Sequence, residues 1–262
     1  MQSLYTAVTG VQAQDTRITA ISNNLANANT TGYKAQRVNF SDLYYRHTKP
    51  VGVSSIGTNK VPNGIQLGTG VRVESTTRNF MDGAYEETGN ALDIAIQNGQ
   101  GFFQVLLRDN TIGYTRDGSF SLNEEGQIVD ANGNFLNPEI TLDPQARDIS
   151  ISLEGLVSGL LPGETEHTVF GEIELAAFVN PAGLKAIGNN LFTETDVSGD
   201  PVLGIPGEDG RGELRQRGLE SSNVELVREM VDMIQTQRAY EINSQVIQTS
   251  NEMMQTIGQL RR

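Results

Sequence analysis

Cysteine is absent from this chain, which removes disulfides and thiolate-held metals in any compartment. Imidazole is almost absent too. His47 and His167 are the two histidines, one in a loop-like stretch and one beside a Pro-Gly turn, and both read as surface residues. No stretch approaches the ~18 apolar residues that cross a bilayer. The opening MQSLYTAVTGVQAQDTR has neither a charged leader nor an apolar run of signal-peptide length. A membrane-spanning or Sec-exported protein is therefore not expected, although export without a cleaved signal leaves no such mark.

Positive charge is also short, and unevenly so. The formal charge is −13 over 262 residues. Residues 1–30 carry one acid and one base, and residues 31–80 carry seven bases against two acids, net +5. Residues 81–218 carry seven bases against 23 acids, net −16, and residues 219–262 four against six, net −2. A basic segment beside an acidic domain suits contacts between segments or between copies. No dense basic cluster exists, so nucleic acid is not an expected partner.

What the chain does have is periodicity at both ends. Leu4, Val8, Val11, Asp15, Ile18, Ser22 and Leu25 follow 4-3-4-3-4-3 spacing, a heptad seam broken by Asp15 and Ser22. The segment ISNNLANANTTGYK concentrates Asn23, Asn24, Asn27 and Asn29 where that pattern ends, with Gly32 and Tyr33 beyond. Asparagines weaken helix interiors and favour bends, so the helix is expected to stop here, its amides bonding backbone and Gly32 turning left-handed.

At the other end Val224, Val227, Val231 and Ile234 run 3-4-3. Ala239, Ile242, Val246, Thr249, Met253, Thr256 and Leu260 then resume the same spacing. Ile247, Met254 and Ile257 add a second apolar stripe, which one neighbour cannot cover. Ser221 or Ser222 is the expected cap, with Glu225 closing a capping box. The economical arrangement is that the terminal helices pair as a coiled coil.

Between them the signals are β. LDIAI (92–96), FFQVLL (102–107), ISISL (149–153) and IELAAF (173–178) read as strands, with turns at RDN, RDGS, EEG and ANG. Residues 48–70 are rich in Gly, Ser, Thr, Asn and Pro and read as an extended loop or long irregular hairpin. The expected fold class is α+β. Its parts are an N-terminal helix (1–30), an extended segment (31–79), an all-β domain (80–218) and a C-terminal helix (219–262).

Templates for catalysis and cofactors fail. GQGFFQ (99–104) places Gln104 where a dinucleotide fingerprint needs its third glycine, and a strand-entry turn fits better. Asp130, Asn132 and Asn134 have calcium-loop spacing, but Phe135 replaces the glycine and no glutamate closes the loop, so a hairpin turn is expected. Glu86–Glu87 and Glu124–Glu125 are sequence neighbours, which a strand would point to opposite faces. No cofactor, metal or small-molecule substrate is expected, and no enzyme activity.

SLYTAVTG, ISNNLANANTTGYKAQRVNFSDL (21–43) and SNVELVREMVDMIQTQRAYEINSQVIQTSNEMM (222–254) resemble the axial rod and hook proteins of the bacterial flagellum. That family carries an NNLAN-type segment, here Asn23–Asn27, and a Q-R-A-Y-E motif, here Gln237–Glu241 with Arg238, Tyr240 and Glu241. The stretches 64–105 and 114–133 resemble the distal-rod branch, and the GTGV segment and the length favour it over the hook. Asn98 adds a polar step before GQGFF, and Arg261 and Arg262 follow Leu260, both outside the assembly signature.

The resemblance implies a non-enzymatic subunit that leaves the cell through the flagellar type III export apparatus without a cleaved signal. It implies helical self-polymerisation into the distal rod of the basal body. That rod is a rigid hollow drive shaft across the periplasm, transmitting torque to the hook and passing exported axial proteins. Implied partners are further copies, proximal rod proteins, hook protein, and peptidoglycan- and outer-membrane-associated ring proteins. The residues expected to pack in assembly are Leu4, Val8, Val11, Ile18, Leu25, Val227, Val231, Ile234, Ile242, Val246, Met253 and Leu260, within or between subunits. The alternatives are a proximal rod or hook subunit or, from a different class, a cell-wall-binding or cell-wall-cleaving β domain.

Overall fold

The computed structural model describes residues 2–49, 54–56, 59–60, 64–162 and 167–260, of which 49, 54–56, 59–60 and 260 by backbone alone. The class is α+β: one helix at each end and a β-rich middle. Two compact units form. The first takes residues 1–25, 36–77 and 226–262, and the second residues 26–35 and 78–225.

In the first unit, helix α1 spans Gln2–Ala26 and helix α2 spans Leu226–Leu260. They run antiparallel. A Cβ on Gly10 would lie 3.0 Å from Asn243 Nδ2. Arg17 Nη2 is 3.7 Å from Asp232 Oδ1, and Asn24 Nδ2 donates to Glu229 Oε1 at 3.3 Å. Helix α1 ends four residues before the expected position 30. The chain turns there instead, with the Thr30 N–H on Asn27 O and the Tyr33 N–H on Thr30 O. Helix α2 starts later than the predicted capping box. Ser222 Oγ accepts from Val224 N, and Leu226 is the first helical residue.

A strand pair, Gln36–Asp42 with Val71–Arg78, completes the first unit. Thr9 Oγ1 on α1 accepts the Val71 N–H at 3.5 Å. The stretch read as an extended loop, 48–70, lies partly outside the described residues. Its described parts pair as Arg46–Lys49 with Ile65–Leu67 and Ser54–Ile56 with Asn59–Lys60.

The second unit contains the four stretches read as strands, seen as Ile94–Gln97, Phe102–Leu106, Arg147–Ile151 and Leu175–Ala177, together with further short strands. Among the described residues its largest sheet runs Ser121–Leu122, Ile128–Val129, Phe135–Asn137, Phe102–Leu106, Ile112–Thr115, Leu191–Thr193, Lys185–Gly188. Leu175–Ala177 branches from Phe102–Leu106 and pairs Val202–Gly204. A three-stranded sheet, Arg147–Ile151, Leu156–Leu160 and His167–Glu172, lies alongside in the same unit. Phe102–Leu106 is central because both its faces are covered: Phe103 enters one apolar cluster with Ile94, Leu136 and Val157, and Phe102 another with Phe80, Tyr114 and Phe192. DANGNF forms a hairpin turn in which Asp130 Oδ1 takes the N–H groups of Asn132 and Asn134, both at 2.8 Å.

Candidate functional site

The two helices do not bury the faces that their apolar residues mark. On α1 the covered line is Ala7, Ala13, Ala20, Ile21 and Asn24, about one position around from the apolar seam. Leu4, Val11, Ile18 and Leu25 are half-buried, and Val8 is exposed. On α2 Thr236 and Ser250 are buried, while Val227 is 71% exposed, Ile242 60% and Ile257 64%. Val231, Ile234, Val246 and Met253 are exposed as well, as are Met230 and Met254. Leu260 has its side chain outside the described residues.

The cause lies in residue size and polarity. Ala7, Ala13 and Ala20 are the buried small residues of α1, and the contacts to α2 run from Gly10 to Asn243, from Arg17 to Asp232 and from Asn24 to Glu229. Thr236 returns its hydroxyl to Asp232 O at 2.6 Å. A small, polar contact inside the chain leaves two apolar stripes open along one long helix. Contiguous exposed apolar stripes of this kind on a subunit mark interaction surfaces.

The asparagine-rich bend sorts into distinct roles. Asn24 is buried, and its amide orientation is fixed by a reciprocal pair with one residue. Oδ1 accepts the Gln36 N–H and Nδ2 donates to Gln36 O, both at 2.9 Å. Asn27 Oδ1 accepts from Thr30 Oγ1 at 3.2 Å. Asn23 is exposed, and so are Arg238, Tyr240 and Glu241 on α2, while Tyr33 is buried.

Gly32 adopts φ +66, and a Cβ there would sit 2.8 Å from the backbone of Arg116 and Asp117. Gly32→Ala therefore meets both a disfavoured conformation and immovable backbone. The expected loss in the second unit is more than about 2 kcal/mol, read as a lowered urea midpoint with unchanged slope.

Beyond Gly32 lies a feature that periodicity does not reveal. Lys34, Arg116 and Glu220 are all buried in the second unit. Lys34 Nζ donates to Glu220 Oε1 at 2.6 Å and to Met81 O at 2.8 Å. Glu220 Oε1 also accepts the Gly83 N–H at 2.7 Å, and Oε2 lies 3.3 Å from Arg116 Nη1. Arg116 continues to Asp82 Oδ1 at 3.4 Å and Gly99 O at 2.6 Å, its guanidinium 5.3 Å above the Phe102 ring.

Asn223 works beside them. Its Oδ1 takes the Ala35 N–H, and its Nδ2 donates to Asn79 O and Met81 O. Segments 31–35, 79–83 and 220–223 are thereby laced into one polar joint, two cations against two carboxylates. Burial, then repulsion from Arg116, pushes the Lys34 pKa down, and Glu220 and Asp82 oppose the fall. Among the described residues Arg116 Nε is buried without a hydrogen-bond partner. The joint's other contacts run between its own side chains and the backbone of Met81, Gly83 and Gly99, so its chemistry is to hold polypeptide together. Among the described residues no group of three or more metal-ligating side chains gathers.

Three family models match the chain. "Flagella basal body rod protein" matches residues 4–34, "Flagellar hook protein FlgE/F/G D1 domain" residues 95–159, and "Flagellar basal body rod FlgEFG protein C-terminal" residues 215–260. The chain is 46% identical to the flagellar basal-body rod protein FlgG of Caulobacter vibrioides, over 100% of both chains. It is 45% identical to that of Buchnera aphidicola from Schizaphis graminum, over 98% of this chain and 99% of the relative. Against the FlgG of Bacillus subtilis the identity is 35% over 100% of both.

Proposed function

From its membership of the flagellar basal-body rod protein family, to which this chain belongs, we propose that it polymerises helically into the distal rod. It is a structural subunit of the flagellar rod, serving motility, and not an enzyme. The cell-wall-acting β domain is not the favoured reading.

In the proposal the terminal helices pair as a coiled coil and pack with those of neighbouring copies around a central channel. Residues 1–30 and 219–262 supply this inner core, 31–79 a rod-specific brace, and 80–218 the β domain. The rod crosses the periplasm, receives its subunits by type III export, and carries torque towards the hook. Proximal rod proteins, hook protein and the surrounding ring proteins are its neighbours.

The supporting observation is the pair of uncovered apolar stripes on α2. A heterologous contact between such faces does not close on itself and propagates as a helix. Concentrated protein viewed by electron microscopy is expected to show filaments of uniform diameter; amorphous aggregates or dispersed monomer at every concentration would sink the proposal. The charge asymmetry, net +5 over residues 31–80 against −16 over 81–218, should help register. Polymer yield is then expected to fall as salt rises from about 0.05 to 0.5 M, and a flat salt response removes the electrostatic part.

A further inference from the structure

Glu229 stands in an unusual place for a carboxylate. It lies in the first turn of α2, half-buried on the line that faces α1. Its Oε1 accepts from Asn24 Nδ2, and that amide cannot swing away because Gln36 holds both its ends. One helical turn on, Asp232 lies on the same face and takes Arg17 at 3.7 Å. Two carboxylates therefore share one face, and the base from α1 goes to the second of them.

We propose that Glu229 is a proton-controlled latch on the helix pair: its protonation draws α1 and α2 together, and its ionisation loosens them. Protonated, Glu229 sheds the cost of a half-desolvated charge and keeps an oxygen for Asn24. Ionised, it has one neutral donor, a like charge one turn away, and the favourable end of the α2 dipole. The charged and titratable groups around it are Arg17 from α1, and Arg228 and Asp232 from α2 itself. Asn24 and, through it, the Gln36 backbone complete the surroundings.

Burial, as the largest cause, raises the Glu229 pKa above its ordinary value, with Asp232 adding to the rise and Asn24, Arg228 and Arg17 opposing it. A folded-state carboxyl pKa above the unfolded value means that the native helix pair binds the extra proton. Helix-pair stability then grows as pH falls through the folded pKa towards the ordinary carboxyl range, and is lost again as pH rises. The latch is read within one subunit, so it stands or falls independently of polymerisation.

The test is the far-UV helical signal and its thermal transition for the full chain at pH 7.5 and pH 5, in wild type, Glu229→Gln and Asp232→Asn. Glu229→Gln is isosteric and uncharged. It is expected to be more helical than wild type at pH 7.5, with at least about twofold more ordered than disordered helix, and to converge with wild type at pH 5. Asp232→Asn, which loses the Arg17 pair, is expected to stay below Glu229→Gln at both pH values. A Glu229→Gln curve parallel to wild type, or a gap that persists at pH 5, overturns the latch.

Discussion

Glu220→Gln is expected to cost the second unit about 3–5 kcal/mol, enough to unfold a marginal domain. The substitution keeps the shape but removes the charge shared by Lys34 and Arg116, both buried. An uncompensated buried cation is far costlier than the pair itself is favourable. The chain has no tryptophan, so near-UV dichroism of the buried Tyr114 and Tyr33 reads the transition. The loss should be pH-dependent. Lys34 already has its pKa pushed down by burial, so the unfolded chain binds more protons than the native one, and stability rises with pH. In Glu220→Gln that rise steepens, because the opposing carboxylate has gone. A variant as stable as wild type, or one that weakens as pH rises, would show that the joint is not held by these charges.

Ile234→Asp combined with Ile242→Asp is expected to abolish filaments while leaving the monomer's melting transition within about 0.5 kcal/mol of wild type. Both side chains are more than half exposed in the single subunit, so charge there costs little until a neighbour tries to cover it. The same charge in an assembled interface would be buried without a partner, which no packing offsets. Sedimentation, with dichroism on the same samples, separates the two effects. If the double variant still forms normal filaments, the open face of α2 is not the assembly surface.

Much of this was legible from spacing alone. The terminal heptads announce two long helices, and the apolar run FFQVLL (102–107) announces the central strand of the sheet. A heptad seam says that something covers a face, but not what. The contacts between the helices of one chain turned out to run through Gly10, Arg17 and Asn24 on α1 and Asn243, Asp232 and Glu229 on α2, small or polar positions that hydrophobicity passes over. Asn24 looks like Asn23 in a sequence, and its buried bridge to Gln36 exists only once the chain has bent back. Lys34, Arg116 and Glu220 are three lone charges far apart in the chain. Arg116 sits in an RDGS stretch that reads as a surface turn, so no pattern of spacing joins them.

The contact between Lys34 and Glu220 spans 186 positions of sequence. A hairpin can zip as its residues become available, but this joint cannot form until both distant segments are present. Whichever of the two segments forms first, the joint waits for the other. The polar joint is then a matter of timing as much as of strength: it locks only when segments 186 positions apart have been brought together.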